Sequence, residues 1–245
     1  MRKEYKYLVP SLLLDQLRRK INPFVYTDCH AQKQSNCHYT VRSVYFDSMR
    51  MDAYHEKLSG LKKRKKFRLR GYNTIENESL LFLEIKNKYN EFVYKQRAPL
   101  HYNQLNTIFQ TESDFSESDL NAFRYHLNLR KLAPVLLIVY DREAYHSKFN
   151  SDLRITFDKN LRSRKCSSPA HISSGKTDHS SLHSHFIFEI KFNHGYPCWL
   201  KSIINEFNLA RESVSKYCIC VDKHKYELDH HFNYSSVNCQ SHFLT

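Results

Sequence analysis

One stretch, residues 60–97, constrains the fold more than any other part of the chain, because charged and apolar residues alternate through three consecutive segments. Side chains two positions apart on a β-strand point to the same face. Apolar residues such as Phe67, Leu69, Leu83 and Ile85 share one parity, and Tyr94 falls on the same side. The opposite, mostly cationic face carries Arg64, Lys66, Arg68 and Arg70, then Glu84, Lys86 and Lys88, then Lys95 and Arg97.

A cationic face that extends over three neighbouring strands is expected to have an anionic partner. For one strand alone, a solvated charged face is the more ordinary interpretation. Like charges that lie opposite each other across several strands repel, which favours an anion bound among them. The whole chain has 38 Lys and Arg against 25 Asp and Glu, a formal net charge of +13. That balance fits nucleic acid, a membrane surface, or a phosphorylated small molecule or polymer.

The composition limits the other function classes. A length of 245 residues, 41% of them hydrophobic, is enough for one large domain or two small ones. No apolar run approaches the roughly 18 residues of a membrane span, and the first residues lack the apolar region of a secretion signal, so we expect a cytoplasmic protein. Seven cysteines without a CxxC motif are interpreted as reduced thiols. The histidines around 179–185 lack partners at metal-ligand spacing, which disfavours a structural metal site.

Alternating patterns recur outside the central stretch and predict about eight strands in all. They cover residues 2–9, 38–47, 134–145, 153–158 and 186–191, and a turn within 213–221 is predicted to enter a last strand. Amphipathic helices are predicted after Pro10, within 100–130 and over 199–209. We expect residues 162–185 to form a long mobile loop and residues 230–245 to form a polar tail.

Together these patterns predict an α+β protein built on a closed eight-stranded antiparallel β-barrel with a basic interior and helices packed outside. A barrel of this size holds one small or thread-like ligand. The prediction requires Arg68, Arg70 and Lys86 to face a common interior. The aromatic residues have the opposite parity to the cations, so we expect them in the core and not as stacking platforms. We therefore predict no nucleic-acid partner.

A set of short motifs, in consistent order over residues 1–222, resembles the polyphosphate polymerase domain of the vacuolar transporter chaperone (VTC) family, within the triphosphate tunnel metalloenzymes. Each motif alone is weakly specific, whereas the ordered set is strongly so. The resemblance implies a domain over residues 1–229, followed by the polar tail. The motifs are E-Y-K-Y (4–7), V-R-S-V-Y-F-D (41–47), the basic run (60–70), L-E-I-K-N-K (83–88), K-Q-R (95–97), Y-D-R (140–142), R-I-T-F-D (154–158), F-E-I-K (188–191) and S-K-Y (215–217).

The resemblance also implies a function and a site. The function is a polyphosphate polymerase that transfers the γ-phosphate of ATP onto inorganic polyphosphate in the tunnel, with Mn²⁺ or Mg²⁺. Lys216, Arg142 and Arg154 would be catalytic, and Glu189 would hold the divalent cation. The phosphate-binding residues that it implies are Lys6, Arg68, Arg70, Lys86, Lys95, Tyr140, Lys191 and Ser215.

These residue types suit phosphoryl transfer, which depends mainly on in-line positioning and on neutralising oxygen charge. Arginine clamps phosphate with two parallel hydrogen bonds, and lysine supplies a point charge. A single carboxylate is enough for a cation that phosphates and water otherwise coordinate. The plainer interpretations are that Glu189 is a salt-bridge partner of Lys191 and that Lys216 is a solvated turn residue.

Two other functions stay open at this point. One is a tripolyphosphatase or nucleoside triphosphatase on the same tunnel, and the other is a non-catalytic polyphosphate-binding subunit. Hydrolase and cyclase members of the superfamily carry E-x-E-x-K on the first strand, where this chain has Arg2, Glu4 and Lys6. Fewer carboxylates weaken the case for a second metal that activates water, which favours chain extension. Coupling to transport would need a separate membrane partner.

Overall fold

The computed structural model describes residues 2–34, 36–90, 92–110, 118–177 and 179–225. Its strands are β1 (Lys3–Pro10), β2 (Val25–Thr27), β3 (Tyr39–Asp47), β4 (Lys63–Tyr72), β5 (Leu80–Tyr89), β6 (Phe92–His101), β7 (Ala133–Ser147), β8 (Arg154–Lys165), β9 (His179–Ser180) and β10 (His185–Phe192). Its helices are α1 (Leu14–Ile21), α2 (Cys29–Gln32), α3 (Asp52–Leu58), α4 (Leu105–Gln110), α5 (Ser118–Leu129), α6 (Cys198–Glu206) and α7 (216–225). The predicted tail, 230–245, lies outside the described residues.

The strands form one antiparallel sheet in the order β1-β10-β8-β7-β3-β4-β5-β6, with β2 paired to β7 and β9 paired to β8. The path ends at β1 and β6, which share no strand pairing among the described residues. The α+β prediction is confirmed, but the prediction of a closed barrel is wrong, because the sheet curls into an open half-barrel. Alternation determines which side chains share a face, and it does not determine whether the two edge strands meet. A salt bridge of 2.7 Å between Lys86 Nζ and Glu4 Oε2 joins β5 to β1 across the concave side.

The apolar parity lies on the convex side of the sheet, as predicted, and packs against helices. Phe67 and Leu69 form a core with Phe123 of α5. Helices α1 and α6 cover the other half of the convex side, where Leu17 and Leu200 are completely buried. Tyr94 departs from this pattern, because its side chain is 63% exposed. Helical cover therefore does not extend over all of β6.

The segment 213–221 does not form the predicted strand. Residues 211–215 are coil, and α7 begins at Lys216. It packs against β3 and β7, where Cys220 shares a core with Val41 and Ile138. Its Tyr217 ring stacks on Tyr45 at 5.1 Å, and its hydroxyl donates to Asp47 Oδ2 at 2.6 Å. Ser215 Oγ accepts a hydrogen bond from the Cys218 amide at 3.3 Å, which is the N-cap contact of a helix. Tertiary packing and this cap outweigh the alternating pattern of the segment.

The predicted mobile loop at 162–185 is largely built into the fold. Strand β8 continues to Lys165, and a 3-10 turn spans Pro169–Ser173. The turn buries Ile172 completely in the core beside β4. The polar composition of this segment hid its few apolar anchors, Ile172 and Cys166 among them.

Gly71 of β4 lies beside this turn, since a Cβ added there would be 3.5 Å from Ile172 Cδ1, and it provides a stability test. A Cβ at Gly71 would lie 2.6 Å from Ile75 Cδ1 and 2.8 Å from Leu81 Cδ2. We expect Gly71→Ala to lower the free energy of unfolding by about 1–3 kcal/mol, because the packed core must shift. Urea unfolding measures the change. Gly175→Ala is the control, because nothing lies within 4 Å of its added Cβ. Equal stability of the two variants would contradict the prediction.

Candidate active site

The concave side of the sheet surrounds a cavity of about 910 Å³. Sixteen Lys and Arg residues line it, against four Glu residues. The alternation that places apolar residues outside also aims the charged parity of β4, β5 and β6 into this space. Such an excess of positive charge in one concavity attracts and concentrates anions.

All twelve side chains that the resemblance implied lie on this one cavity. Arg68, Arg70 and Lys86 therefore face a common interior, as the parity argument requires. The functional roles of the twelve residues stay predictions. The residues are Lys6, Arg68, Arg70, Lys86, Lys95, Tyr140, Arg142, Arg154, Glu189, Lys191, Ser215 and Lys216.

Asp158 on β8 connects two of the three predicted catalytic residues. Its Oδ1 accepts from Arg142 Nε at 2.6 Å, and its Oδ2 accepts from Arg142 Nη2 at 2.8 Å. Lys216 Nζ lies 2.5 Å from Asp158 Oδ2. Burial would raise the pKa of Asp158, yet Arg142 and Lys216 hold that pKa well below its ordinary value. An ionised, buried carboxylate thus fixes both cations in place.

Lys216 remains a cation inside the protein. Burial opposes its charge, but Asp158 and the Tyr140 hydroxyl raise the pKa of Lys216 above its ordinary value. Its Nζ lies 4.7 Å from the centre of the Tyr140 ring. The side chain is only 9% exposed, so the interpretation as a solvated turn residue is wrong.

Asp158 is the residue that our site prediction missed. It ends the R-I-T-F-D motif and has the same parity as Arg154, so the sequence contained the signal. The site prediction considered a carboxylate as a cation partner only for Glu189 and assigned no such role to Asp158. Arg154 belongs to a different cluster, where its Nη2 donates to Asp28 Oδ2 at 3.1 Å and to the Tyr39 hydroxyl at 3.3 Å.

Glu189 on β10 has the properties of a divalent-cation ligand. Its Oε1 lies 2.9 Å from Lys191 Nζ, so the salt bridge also expected for this residue is present. Burial would raise the pKa of Glu189, but Lys191, Lys6 and Lys216 hold it well below its ordinary value. The carboxylate is therefore ionised, and hard cations such as Mg²⁺ and Mn²⁺ prefer oxygen ligands of this kind.

We call the cavity on the concave side the tunnel, and its wall does not by itself form a complete metal cage. Among the described residues, the one group of three adjacent potential ligands is Asp28, Cys29 and His30, which does not include Glu189. Glu4 lies two residues from Lys6, the strand partner of Glu189, so the two carboxylates are diagonal neighbours. These residues fit a cation held jointly by Glu189, phosphate oxygens and water.

A second buried carboxylate organises the arginines of the opposite wall. Glu84 Oε2 accepts from Arg68 Nε at 2.6 Å. Arg70 Nε donates to Ser43 Oγ at 3.2 Å, and its Nη2 donates to the Tyr140 hydroxyl at 3.3 Å. The two guanidinium groups are thereby held rigidly toward the cavity, which suits a phosphate clamp.

The coil before α7 is attached to the tunnel wall by two lysines. Lys6 Nζ donates to the Val214 carbonyl at 3.3 Å, and Lys66 Nζ donates to Ser215 Oγ at 2.8 Å. Lys66 was not among the implied site residues, although its parity predicted that it shares their face. Burial, together with Lys6 and Lys86, lowers the pKa of Lys66 to about 8.

This lowered pKa predicts how anion binding depends on pH. A bound polyanion raises the pKa of Lys66, so binding above pH 8 takes up a proton. We expect the affinity for polyphosphate to fall as the pH rises above 8, by about tenfold per pH unit for each proton taken up. Tyr45, whose pKa burial raises but Arg68 and Arg70 lower to about 8, adds to the effect in the same direction.

Isothermal titration at pH 7.0, 8.0 and 9.0, in two buffers with different ionisation enthalpies, measures both affinity and proton uptake. Lys66→Arg is the matched control, because arginine stays charged over this range. It should reduce the proton uptake above pH 8. A constant affinity over the whole range would contradict the prediction.

Comparisons with known proteins provide a family and distant structural similarities. A family model described as the VTC domain matches residues 1–225. No functionally curated protein matches the chain. The PH1819 protein of Pyrococcus horikoshii OT3 is 14% identical, with a TM-score of 0.48 over 91% of this chain and 99% of that chain.

Two further solved structures are also distantly similar to this chain. HpAC1 from Hippeastrum, whose dominant activity is that of a triphosphatase, is 12% identical, with a TM-score of 0.49 over 89% of this chain and 94% of that chain. The triphosphatase of the Mimivirus capping enzyme is 9% identical, with a TM-score of 0.31 over 84% of this chain and 88% of that chain. These similarities are too distant to inform on function. No helix in the described residues is long and apolar enough to cross a membrane.

Proposed function

The chain belongs to the VTC-domain family, and from that premise we propose that it is a polyphosphate polymerase that transfers the γ-phosphate of ATP onto a growing inorganic polyphosphate chain. One observation carries the proposal. Sixteen cationic side chains line a single cavity, and two of them, the catalytic candidates Arg142 and Lys216, are fixed on a buried ionised carboxylate. Inorganic polyphosphate carries a negative charge on every phosphate unit, so it can pair with cations along the whole length of such a cavity.

The proposed mechanism uses the cations for position and charge. Arg68 and Arg70, held by Glu84 and Tyr140, clamp the phosphates of the donor. Arg142 and Lys216 neutralise charge that develops on the oxygens around the transferred phosphorus atom. The acceptor is a terminal phosphate oxygen that is already ionised, so no side chain has to remove a proton. A divalent cation held by Glu189 would add charge neutralisation between the phosphates.

Hydrolysis in the same tunnel is the second candidate function. It depends on whether Glu4 is available to bind a second metal. Water attack would benefit from a second metal, for which Glu4, diagonal to Glu189 on the neighbouring strand, is an additional carboxylate. Lys86 Nζ forms a salt bridge with Glu4 Oε2 at 2.7 Å. Burial would raise the pKa of Glu4, but Lys86 lowers it to about 2. Glu4 thus has a lysine counterion within the protein, as Glu189 has in Lys191. The preference for phosphate over water as the acceptor therefore rests on the first-strand motif, which has Arg2 where hydrolase and cyclase members carry a first glutamate.

The proposal also concerns the surroundings of the reaction. We propose ATP and polyphosphate as ligands, Mn²⁺ or Mg²⁺ as the cation, and the cytoplasm as the location. Nucleic acid is not proposed as a partner. If the product crosses a membrane, a separate membrane protein would have to accept it.

Incubation of the purified protein with ATP and Mn²⁺, followed by a gel that resolves polyphosphate, tests the proposal. Long chains together with ADP would support the polymerase. Orthophosphate and ADP without chains would establish the hydrolase instead. Polyphosphate binding without turnover would leave a non-catalytic binding subunit.

A further inference from the structure

The two ends of the tunnel differ in chemistry, although the parity of the strands is the same along their length. At one end, β4 and β5 present Arg64 and Lys88, which are strand partners. At the other end, the cationic parity continues into Tyr72 and Phe82, and both side chains line the cavity. The prediction that the aromatic residues have the opposite parity to the cations is therefore wrong here, as it is for Tyr39, Tyr45 and Tyr140, which also line the cavity. We call this end, formed by Tyr72, Leu80, Phe82 and Arg97, the aromatic mouth.

Arg97 forms a flat platform in the aromatic mouth. The central carbon of its guanidinium group lies 3.5 Å from the centre of the Phe82 ring, which is a stacking distance. Its Nε lies 3.4 Å from Glu84 Oε1, and its Nη2 donates to the Tyr72 hydroxyl at 3.4 Å. These contacts fix one face of the guanidinium plane against Phe82 and hold its edges in place.

Phe82 covers one face of this plane, so a stacking ligand would approach the opposite face. The Arg97 side chain remains 43% exposed, although Phe82, Glu84 and Tyr72 all contact it. The exposed Leu80 lines the cavity at the same mouth. What distinguishes Arg97 from the clamp residues Arg68 and Arg70 is the stacking of its guanidinium plane on an aromatic ring at 3.5 Å. The available surface is a π-type face beside apolar side chains.

We infer that the aromatic mouth is a nucleobase subsite, in which the base of the donor nucleotide stacks on the face of the Arg97 guanidinium opposite Phe82. Nucleobases stack on arginine planes and aromatic rings with energies that depend little on the base. The triphosphate would then extend from this mouth toward Arg70, which pairs with Phe82 across the strands. Stacking makes no hydrogen bonds to the edges of the base, where adenine and guanine differ, so the subsite accepts ATP and GTP alike. This inference rests on the proposed use of a nucleoside triphosphate as the donor.

A comparison of ATP with inorganic tripolyphosphate isolates the base from the phosphates. Both ligands are titrated into the full-length protein in EDTA, so that no turnover occurs. Arg97→Lys keeps the charge but removes the plane, and Phe82→Ala keeps Arg97 but removes its support. We expect each variant to weaken ATP binding by about tenfold while tripolyphosphate binding stays within about twofold.

Arg64→Lys at the other mouth is the matched control. It makes the same chemical change in the same tunnel, so we expect it to alter the affinities for ATP and tripolyphosphate by one common factor. Thermal unfolding of each variant checks that the fold is intact. Equal weakening of both ligands by Arg97→Lys and Phe82→Ala would overturn the inference, because Arg97 would then act only as a phosphate cation. Failure of the proposed function is a separate result, seen when the unaltered protein makes no chains from ATP.

Discussion

We expect Lys216→Ala to reduce polyphosphate synthesis by about a hundredfold to a thousandfold, which is the usual effect of removing one preorganised charge donor from a reacting site. Polyphosphate binding should change far less, because fifteen other Lys and Arg side chains still line the cavity. Synthesis is measured as chains formed from ATP at saturating nucleotide, and binding is measured by titration with polyphosphate.

The expected fold of this variant follows from the contacts of Asp158. Removing Lys216 leaves the bidentate contact between Asp158 and Arg142, at 2.6 and 2.8 Å, in place. The buried carboxylate therefore keeps a partner and stays ionised, which avoids the large cost of an isolated buried charge. Tyr217 still anchors α7 to Asp47. Loss of activity should accordingly occur in a folded protein.

Lys33→Ala is the control for a general loss of positive charge, because Lys33 also lines the cavity but is exposed at its surface. It should weaken polyphosphate binding slightly and leave the rate at saturation nearly unchanged. If Lys216→Ala and Lys33→Ala reduced synthesis equally, Lys216 would be one attractive charge among many. Full activity of Lys216→Ala would refute its assigned role outright.

The position of the cations could be predicted from the sequence, because a period of two determines side-chain direction along any strand. Arg68 and Arg70 face the cavity and Phe67 and Leu69 face the core for this reason alone. Closure of the sheet could not be predicted in this way. It depends on whether two edge strands that are distant in sequence meet, and no local pattern encodes that distance.

The errors at α7 and at the aromatic mouth have related physical causes. Residues 213–221 alternate like a strand, but Ser215 caps a helix. Tyr217 contacts Tyr45 and Asp47, which are distant in sequence, so no local pattern predicts these contacts. Tyr72 and Phe82 lie at strand ends, where the ligand-facing surface changes from charge to aromatic side chains. A parity argument assigns a face to them but does not reveal that change in chemistry.

The missed carboxylate shows a limit of another kind. Asp158 was visible at the correct parity, yet a basic tunnel suggests that each cation faces a ligand. In the structure, buried cations also need a fixed counterion when they are to be held in a precise geometry. Glu84 supplies it for Arg68, and Asp158 supplies it for Arg142 and Lys216. The acids of such a tunnel are therefore as informative about its chemistry as the bases.

Glu189 is the acid for which removal should have opposite effects on binding and on chemistry. We expect Glu189→Gln to reduce metal-dependent synthesis at least about a hundredfold, because the one buried carboxylate assigned to the cation is lost. Polyphosphate binding in EDTA should become tighter at the same time. The reason is that Lys191, Lys6 and Lys216, which now hold the pKa of Glu189 low, would face the ligand without this counterion.

Glu84→Gln separates this expectation from a general effect of charge, because Glu84 is also a buried carboxylate on the tunnel wall. Activity is measured as a function of Mn²⁺ concentration for both variants, and polyphosphate binding is measured in EDTA. Only Glu189→Gln should require a higher Mn²⁺ concentration for half-maximal activity. An unchanged Mn²⁺ requirement in Glu189→Gln would mean that the cation is held by phosphates alone. Glu189 would then act only as the counterion of Lys191, the role that its 2.9 Å salt bridge already shows.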